Sequence, residues 1–198
     1  MGAKANRLVL ASASPRRRDL LAGMGFELDI VRPEADEFQC PGESPENMAE
    51  RLAKAKAHEV ADRHFAGCDR FVLGADTIVV LDGGILQKPK NKADAARMLL
   101  ALSGNTHVVI TAFCIVNPGR KAESLDNVKT KVTFRKMSPD WIKRYINTGE
   151  PMDKAGAYAA QGVGASIISR IDGSYTNVVG LPLCEVVETL GKMGMETP

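Results

Sequence analysis

The chain has 198 residues, with 26 Lys and Arg against 24 Asp and Glu. Apolar residues at 44% and charged residues at 25% are ordinary for a globular protein with a sizeable core, and a formal charge of +2 is too small for bulk nucleic-acid binding, so any anion site must be local. Cys40, Cys68, Cys114 and Cys184 are scattered, without C-x-x-C or a His pair at metal-ligand spacing, which argues against a zinc site or a redox motif and fits reduced thiols in a cytoplasmic protein. No signal-type segment stands near the start, and no apolar run approaches the ~20 residues of a membrane helix, so neither secretion nor membrane insertion is expected.

Arg7 to Ala11 read as a short buried strand, after which Ser14-Pro15 supplies an N-cap and a proline at the first helical position; this helix should run to about Gly23 or Gly25. A second strand precedes "PEADEF". The Ser-Pro device recurs at Ser44-Pro45, opening a helix through about His64, and at Ser138-Pro139, opening one that Gly149 should end. Between them, "RFVLGADTIVVLDGGIL" predicts a strand, a tight Asp82-Gly83-Gly84 turn and a return strand, and "NKADAARMLLALSG" predicts a helix closed by Gly104. Two β-rich runs from Thr106 to Met137 flank the hairpin signal "NPGRKA". "ASIISRIDGSY" adds another strand before a last helix through "LPLCEVVETLGK". Strand–helix–strand units require parallel neighbours and short hairpins antiparallel ones, so an α/β fold with a mixed sheet follows.

Several residues break the apolar pattern. Arg16, Arg17 and Arg18 fall in the first turn of a helix, where the partial positive charge of the helix end ordinarily favours acids, so something negative is expected there. Lys56 falls near the centre of the stripe formed by Met48, Ala49, Leu52, Ala53 and Val60. It is either a lysine whose stem packs while its head reaches water or a phosphate ligand. Asp76 interrupts a strand in alternation with Val72, Gly74, Ile78 and Val80. Either it caps a neighbouring loop, with Gly74 marking a bulge, or it is a paired, functional carboxylate. Glu34, Asp36 and Glu37 follow the second strand, and Glu150, Asp153 and Lys154 follow a helix; each group is a solvated loop or a site component. With Lys88 beside Pro89, the chain offers bases for phosphate oxygens and carboxylates for a hard cation, which leaves no His/Cys signature. These features point to a phosphate-bearing substrate and metal-assisted hydrolysis.

Taken in order, "LASASPRR", "RLAKAKA", "LGADTIV", "KPKNKADAARMLLALSG", "VTFRKM", "GEPMDKAGAYAAQG" and "IDGSYTNVVGLPL" resemble the Maf family of nucleoside triphosphate pyrophosphatases over nearly the whole chain. The resemblance implies one domain over 1–198, two lobes around a deep cleft. It also implies a central mixed, mostly antiparallel β-sheet flanked by helices, akin to the inosine triphosphate pyrophosphatases. The implied reaction converts a nucleoside triphosphate to the monophosphate and pyrophosphate with Mg²⁺ or Mn²⁺. By the same resemblance Asp76 is the general base, Ser12, Arg16, Arg17, Lys56 and Lys88 contact the substrate, and Glu37 with Asp76 holds the metal. Arg16 in "SPRR", Thr77 in "GADT" and Gln161 in "YAAQG" resemble the branch acting on dTTP and UTP rather than the one preferring 7-methyl-GTP. Modified pyrimidine triphosphates are further candidate substrates. The family is also linked to inhibition of septum formation, which offers a regulatory protein binding a partner or nucleic acid as one alternative; aromatics at 5% and the absence of a basic stripe speak against a nucleic-acid partner. An inosine triphosphate pyrophosphatase is another alternative, sharing the fold logic but not these motifs. A homodimer is compatible with the chain.

Overall fold

A computed structural model describes residues 7–197. Strand β1, Arg7–Ala11, is flanked on both sides by parallel neighbours, β2 at Glu27–Val31 and β3 at Val72–Leu81, which is why it reads as an unbroken apolar run. Between β1 and β2 lies helix α1, Pro15–Gly23, and between β2 and β3 lies α2, Pro45–His64. Both begin on Pro after an extended serine, but only Ser44 caps with its side chain, accepting from the Asn47 amide at 3.2 Å. At α1 the Ser14 amide donates instead to the Ser12 hydroxyl at 3.1 Å.

Strand β3 turns into β4, Gly84–Leu86, through Asp82 and Gly83 at φ 49° and 78°, a pair of left-handed residues that matches the twist of an antiparallel hairpin. Helix α3, Lys92–Leu102, is capped by the Asn91 side chain and followed by Gly104 at φ 74°. Strands β5, Thr106–Asn117, and β6, Ala122–Phe134, form the expected long hairpin, and α4, Pro139–Asn147, ends before Gly149 at φ 78°. The stretch that follows was not legible as structure. It folds into 3-10 turns at Glu150–Asp153, Ala155–Ala157 and Gly162–Ile167 before β7, Ile168–Asp172, the short helix α5, Tyr175–Val179, and α6, Leu183–Lys192. Strand order in the seven-stranded sheet is β2-β1-β3-β5-β6-β7, with β4 beside β3. The sheet is mixed, since β1 is parallel to both neighbours while β4 and β7 run antiparallel to theirs.

The chain divides into two compact units. One comprises Met1–Asp76, Thr111–Val128 and Gly180–Pro198, and the other Thr77–Ile110 and Lys129–Val179; β3, β5 and β6 contribute residues to both. The first unit's core joins Leu8, Leu10, Leu73, Phe113 and Ile115 of the strands to Leu21 of α1 and Val186 and Leu190 of α6. In the second unit His107, Phe134 and Tyr158 pack edge to face, with centroids 4.7–5.3 Å apart, and His107 Nε2 is 2.8 Å from the Tyr158 hydroxyl. Burial lowers the His107 pKa to about 4, so the ring is neutral at physiological pH. Among the described residues no helix is long and apolar enough to cross a membrane.

Candidate active site

In the first unit a close approach of helix to strand sets the site. A Cβ on Gly74 would lie 2.5 Å from the Ala53 carbonyl oxygen and 2.6 Å from the Ala57 amide nitrogen, so only glycine lets α2 rest on the backbone of β3. Gly74 is also in register with Ala11 of β1, with no bulge between these two strands. One residue before Ala57 on the helix stands Lys56, and two residues after Gly74 on the strand stands Asp76. The close packing lets them meet: Lys56 Nζ donates to Asp76 Oδ1 at 2.7 Å and to Glu37 Oε1 at 2.5 Å. Lys56 is 6% exposed and Asp76 9%, whereas the Glu37 side chain, on the loop after β2, is 48% exposed. Of the two readings of Lys56, packing with a solvated head is therefore excluded; its head meets two carboxylates.

The arginine run divides by direction. Arg17 points into the first unit and is 9% exposed. Its Nε donates to the Gly180 carbonyl at 2.8 Å, and its Nη1 donates to the Ala75 carbonyl at 2.9 Å and to Ser12 Oγ at 3.3 Å. Arg17 thus ties the end of β1, the residue before Asp76 and the segment leading into α6 to the first turn of α1. Burial pulls its pKa below the usual value while the Asp76 carboxylate works the other way, and the guanidinium stays charged. Arg18 faces solvent, paired with Asp19 at 2.7 Å, and Arg16 is half-buried.

The remaining expected site residues belong to the second unit. Thr77 follows Asp76 along β3 and is half-buried; Lys88 is exposed just after β4, before the buried Pro89; Gln161 is exposed at the start of the last 3-10 turn. What holds the Gln161 segment was missed from sequence. The Glu150 carboxylate accepts from the Tyr145 hydroxyl at 2.9 Å, the Gly164 amide at 2.8 Å and the Val163 amide at 3.0 Å. Burial works against its charge, but the bonds from Gly164, Tyr145 and Val163 outweigh it and hold its pKa below the ordinary value. The chain wraps so tightly here that a Cβ on Gly162 would lie 2.6 Å from Glu150 Oε2, and one on Gly164 2.4 Å from the Ala159 carbonyl. The three glycines 156, 162 and 164, flanking a run of small residues, were the available signal for such a turn-built segment.

The site's chemistry is that of a charged, mostly buried network: two carboxylates converge on one ammonium, with a buried guanidinium close by. Glu37 and Asp76 each give one carboxylate oxygen to Lys56 Nζ, and carboxylate oxygens are the hard donors that Mg²⁺ or Mn²⁺ takes, usually one or two of them completed by phosphate oxygens and water.

A family model described as "Maf-like protein" matches residues 7–193, which span both compact units. The chain is 52% identical over 194 residues to a protein of Geotalea uraniireducens (strain Rf4) named "dTTP/UTP pyrophosphatase", covering 98% of each chain. It is 53% identical over 187 residues to a protein of the same name from Syntrophotalea carbinolica, covering 94% of this chain and 84% of that one. Among solved structures, the Ham1 protein of Staphylococcus aureus is a distant likeness, 14% identical with a TM-score of 0.47, covering 82% of this chain and 79% of that one. The match along nearly the whole length, with the motifs in order, makes the conclusion plain: the chain belongs to the Maf-like protein family.

Proposed function

We propose that this chain hydrolyses dTTP and UTP to the nucleoside monophosphate and pyrophosphate, with Asp76 as general base. Relatives about half identical over nearly their whole length carry the name of that activity. The observation in the molecule that supports it most is the buried Lys56–Asp76 pair, with Glu37 at its exposed edge. A buried ion pair adds little stability compared with apolar packing, so charges kept in this position are best accounted for by chemistry.

In this reading Lys56 fixes one Asp76 oxygen, and Asp76 accepts the proton of the attacking water. Lys56 also offsets the mutual repulsion of Asp76 and Glu37, which lets both carboxylates stand at one place. A divalent cation, Mg²⁺ or Mn²⁺, would be held by Glu37 and Asp76, and when bound it neutralises phosphate charge and aligns the phosphoryl group. Ser12, Arg16 and Lys88 contact the triphosphate, and Arg17 lends its charge while holding Ser12 and the Ala75 carbonyl in place. Arg16, Thr77 and Gln161 select the pyrimidine, with Glu150 keeping the Gln161 segment folded. The single domain of the family encompasses both units, and its four thiols, all free, suit the cytoplasm.

Pyrophosphate release measured side by side from dTTP, UTP, ATP, GTP and 7-methyl-GTP with magnesium tests the reading. The expected outcome is kcat/KM for dTTP and UTP well above the three purine nucleotides; a preference for 7-methyl-GTP overturns the choice of base, and no release from any of them overturns the activity.

A further inference from the structure

Outside this network, three ligand types of different softness meet in the first unit. His58, two residues past Lys56 on α2, Cys114 on β5 and Glu123 on β6 place one imidazole nitrogen, one thiol sulfur and one carboxylate oxygen all within 4.8 Å of one another. His58 Nε2 is 2.9 Å from Glu123 Oε2, while the other carboxylate oxygen, Oε1, accepts from Lys54 Nζ at 2.6 Å. Cys114 is fully buried, whereas the His58 and Glu123 side chains are 40% and 33% exposed, so the group has a sulfur floor and two ligands reachable from solvent.

We propose that His58, Cys114 and Glu123 form a binding site for a borderline-soft divalent metal, with zinc as the fitting ion. A thiolate, an imidazole and a carboxylate are a ligand set suited to zinc, and a hard ion such as Mg²⁺ would not choose sulfur. Tetrahedral zinc at its usual bond lengths separates such ligand atoms by about 3.4–3.6 Å. The His58–Glu123 pair has to open by a few tenths of an ångström, and the sulfur has to close by at most about 1.4 Å from the 4.8 Å bound, movements within reach of side-chain rotation. The metal replaces the His58–Glu123 hydrogen bond, and Lys54 keeps the outer oxygen, the kind of second contact that orients a ligating carboxylate. On binding, the Cys114 S–H bond breaks, its proton goes to solvent and a metal–sulfur bond forms; no redox change is involved. A fourth position is left to water.

The ordinary spacing rules failed to find this site because its ligands come one each from a helix and two strands. Burial pushes the metal-free Cys114 thiol up to about 12, so without a metal it is neutral and unreactive. Lys54 bonding keeps the Glu123 pKa below its ordinary value, so this ligand already carries its charge.

The purified chain titrated with Co²⁺ as a spectroscopic substitute, and unfolded thermally with and without Zn²⁺, tests the proposal. Wild type should develop thiolate-to-cobalt charge-transfer absorption with visible bands of tetrahedral intensity at one equivalent, and Zn²⁺ should raise Tm. Cys114→Ser should abolish the charge-transfer band. Should that buried variant fail to fold, His58→Gln and Glu123→Gln, both at partly exposed positions, carry the test: each should weaken Zn²⁺ binding at least about tenfold. A variant with Cys40, Cys68 and Cys184 all changed to Ser should keep the band. No charge-transfer band in wild type, a band that survives Cys114→Ser, or Zn²⁺ affinity left unchanged by both His58→Gln and Glu123→Gln overturns the proposal. None of these readouts depends on nucleotide hydrolysis, so the result stands apart from the proposed function.

Discussion

Two polar networks, one in each unit, are held in opposite ways. In the second unit Glu150 is answered by one hydroxyl and two backbone amides, and Asn177 donates to the Val109 carbonyl at 3.2 Å and to the Thr130 hydroxyl at 2.9 Å. Those partners are fixed backbone or neutral side chains, and they close turns that carry little apolar surface of their own. In the first unit Lys56, Asp76 and Glu37 are answered by one another, charge against charge. Neutral satisfaction of a buried group makes structure, whereas mutual satisfaction of charges gives reactivity at some cost in stability. A carboxylate or ammonium met by a charge that could be moved or shared is thus a functional candidate, whereas Arg17, met by peptide carbonyls, fixes structure while its own charge stays beside the site.

The comparison breaks most readily at Lys56. Lys56→Met keeps the stem's bulk but leaves Asp76 and Glu37 facing each other, one of them buried, and should destabilise the fold by about 3 kcal/mol in urea unfolding while reducing pyrophosphate release at least about a hundredfold. Glu150→Gln in the second unit keeps one acceptor oxygen, enough for the Gly164 amide and the Tyr145 hydroxyl, but puts an amide NH2 against the Val163 amide, and should cost about 1–2 kcal/mol. Equal losses in both would erase the distinction between the two networks. Gly74→Ala is next in size. The added methyl would meet backbone rather than a yielding side chain, so about 1–3 kcal/mol of stability should be lost, and the displaced helix should lower kcat through the Lys56–Asp76 contact.

His107 sharpens the comparison from the neutral side. Its folded pKa of about 4 lies below the ordinary 6.5, so its contribution to stability is present above pH 6.5 and is lost as pH falls through the folded value. Between pH 7 and pH 5 the chain should lose about 2 kcal/mol through this group, and His107→Gln should flatten that part of the pH dependence of urea unfolding. At the small end, Arg18→Ala should change stability by less than about 0.5 kcal/mol and leave KM for dTTP unchanged, because its partner Asp19 is as exposed as it is.

Much of the frame was legible because it rests on local chemistry. Helix α2 begins and ends where Ser44-Pro45 and His64 placed it, the Asp82-Gly83 pair makes the hairpin turn, and Lys56 is as buried as its position in an apolar stripe required. What depended on contact between distant segments was not. Nothing in the spacing of Lys56 and Asp76 says that they touch; that follows from Gly74, whose missing side chain looked as much like a bulge as a close approach. Three consecutive arginines carry no periodicity to tell which points inward, and the acceptors that draw Arg17 in are carbonyls 58 and 163 residues away. The turns from Glu150 to Ile167 have no apolar period at all, being held by one carboxylate and by glycines. The base and metal roles came from resemblance to a family, and they stand on it together with the chemistry of the residue types.

The central claim is that Asp76 takes the proton of the attacking water, and Asp76→Asn, assayed at saturating Mg²⁺ so that weaker metal binding does not limit the rate, tests it, because the amide keeps the shape and an oxygen for Lys56 while losing the proton-accepting charge. Single-turnover release of pyrophosphate from dTTP, with nucleotide affinity and urea unfolding measured on the same preparation, is the direct test. The account predicts a rate lower by roughly 10²–10⁴-fold with affinity and stability near wild type; turnover within a few-fold of wild type by the folded variant would contradict it.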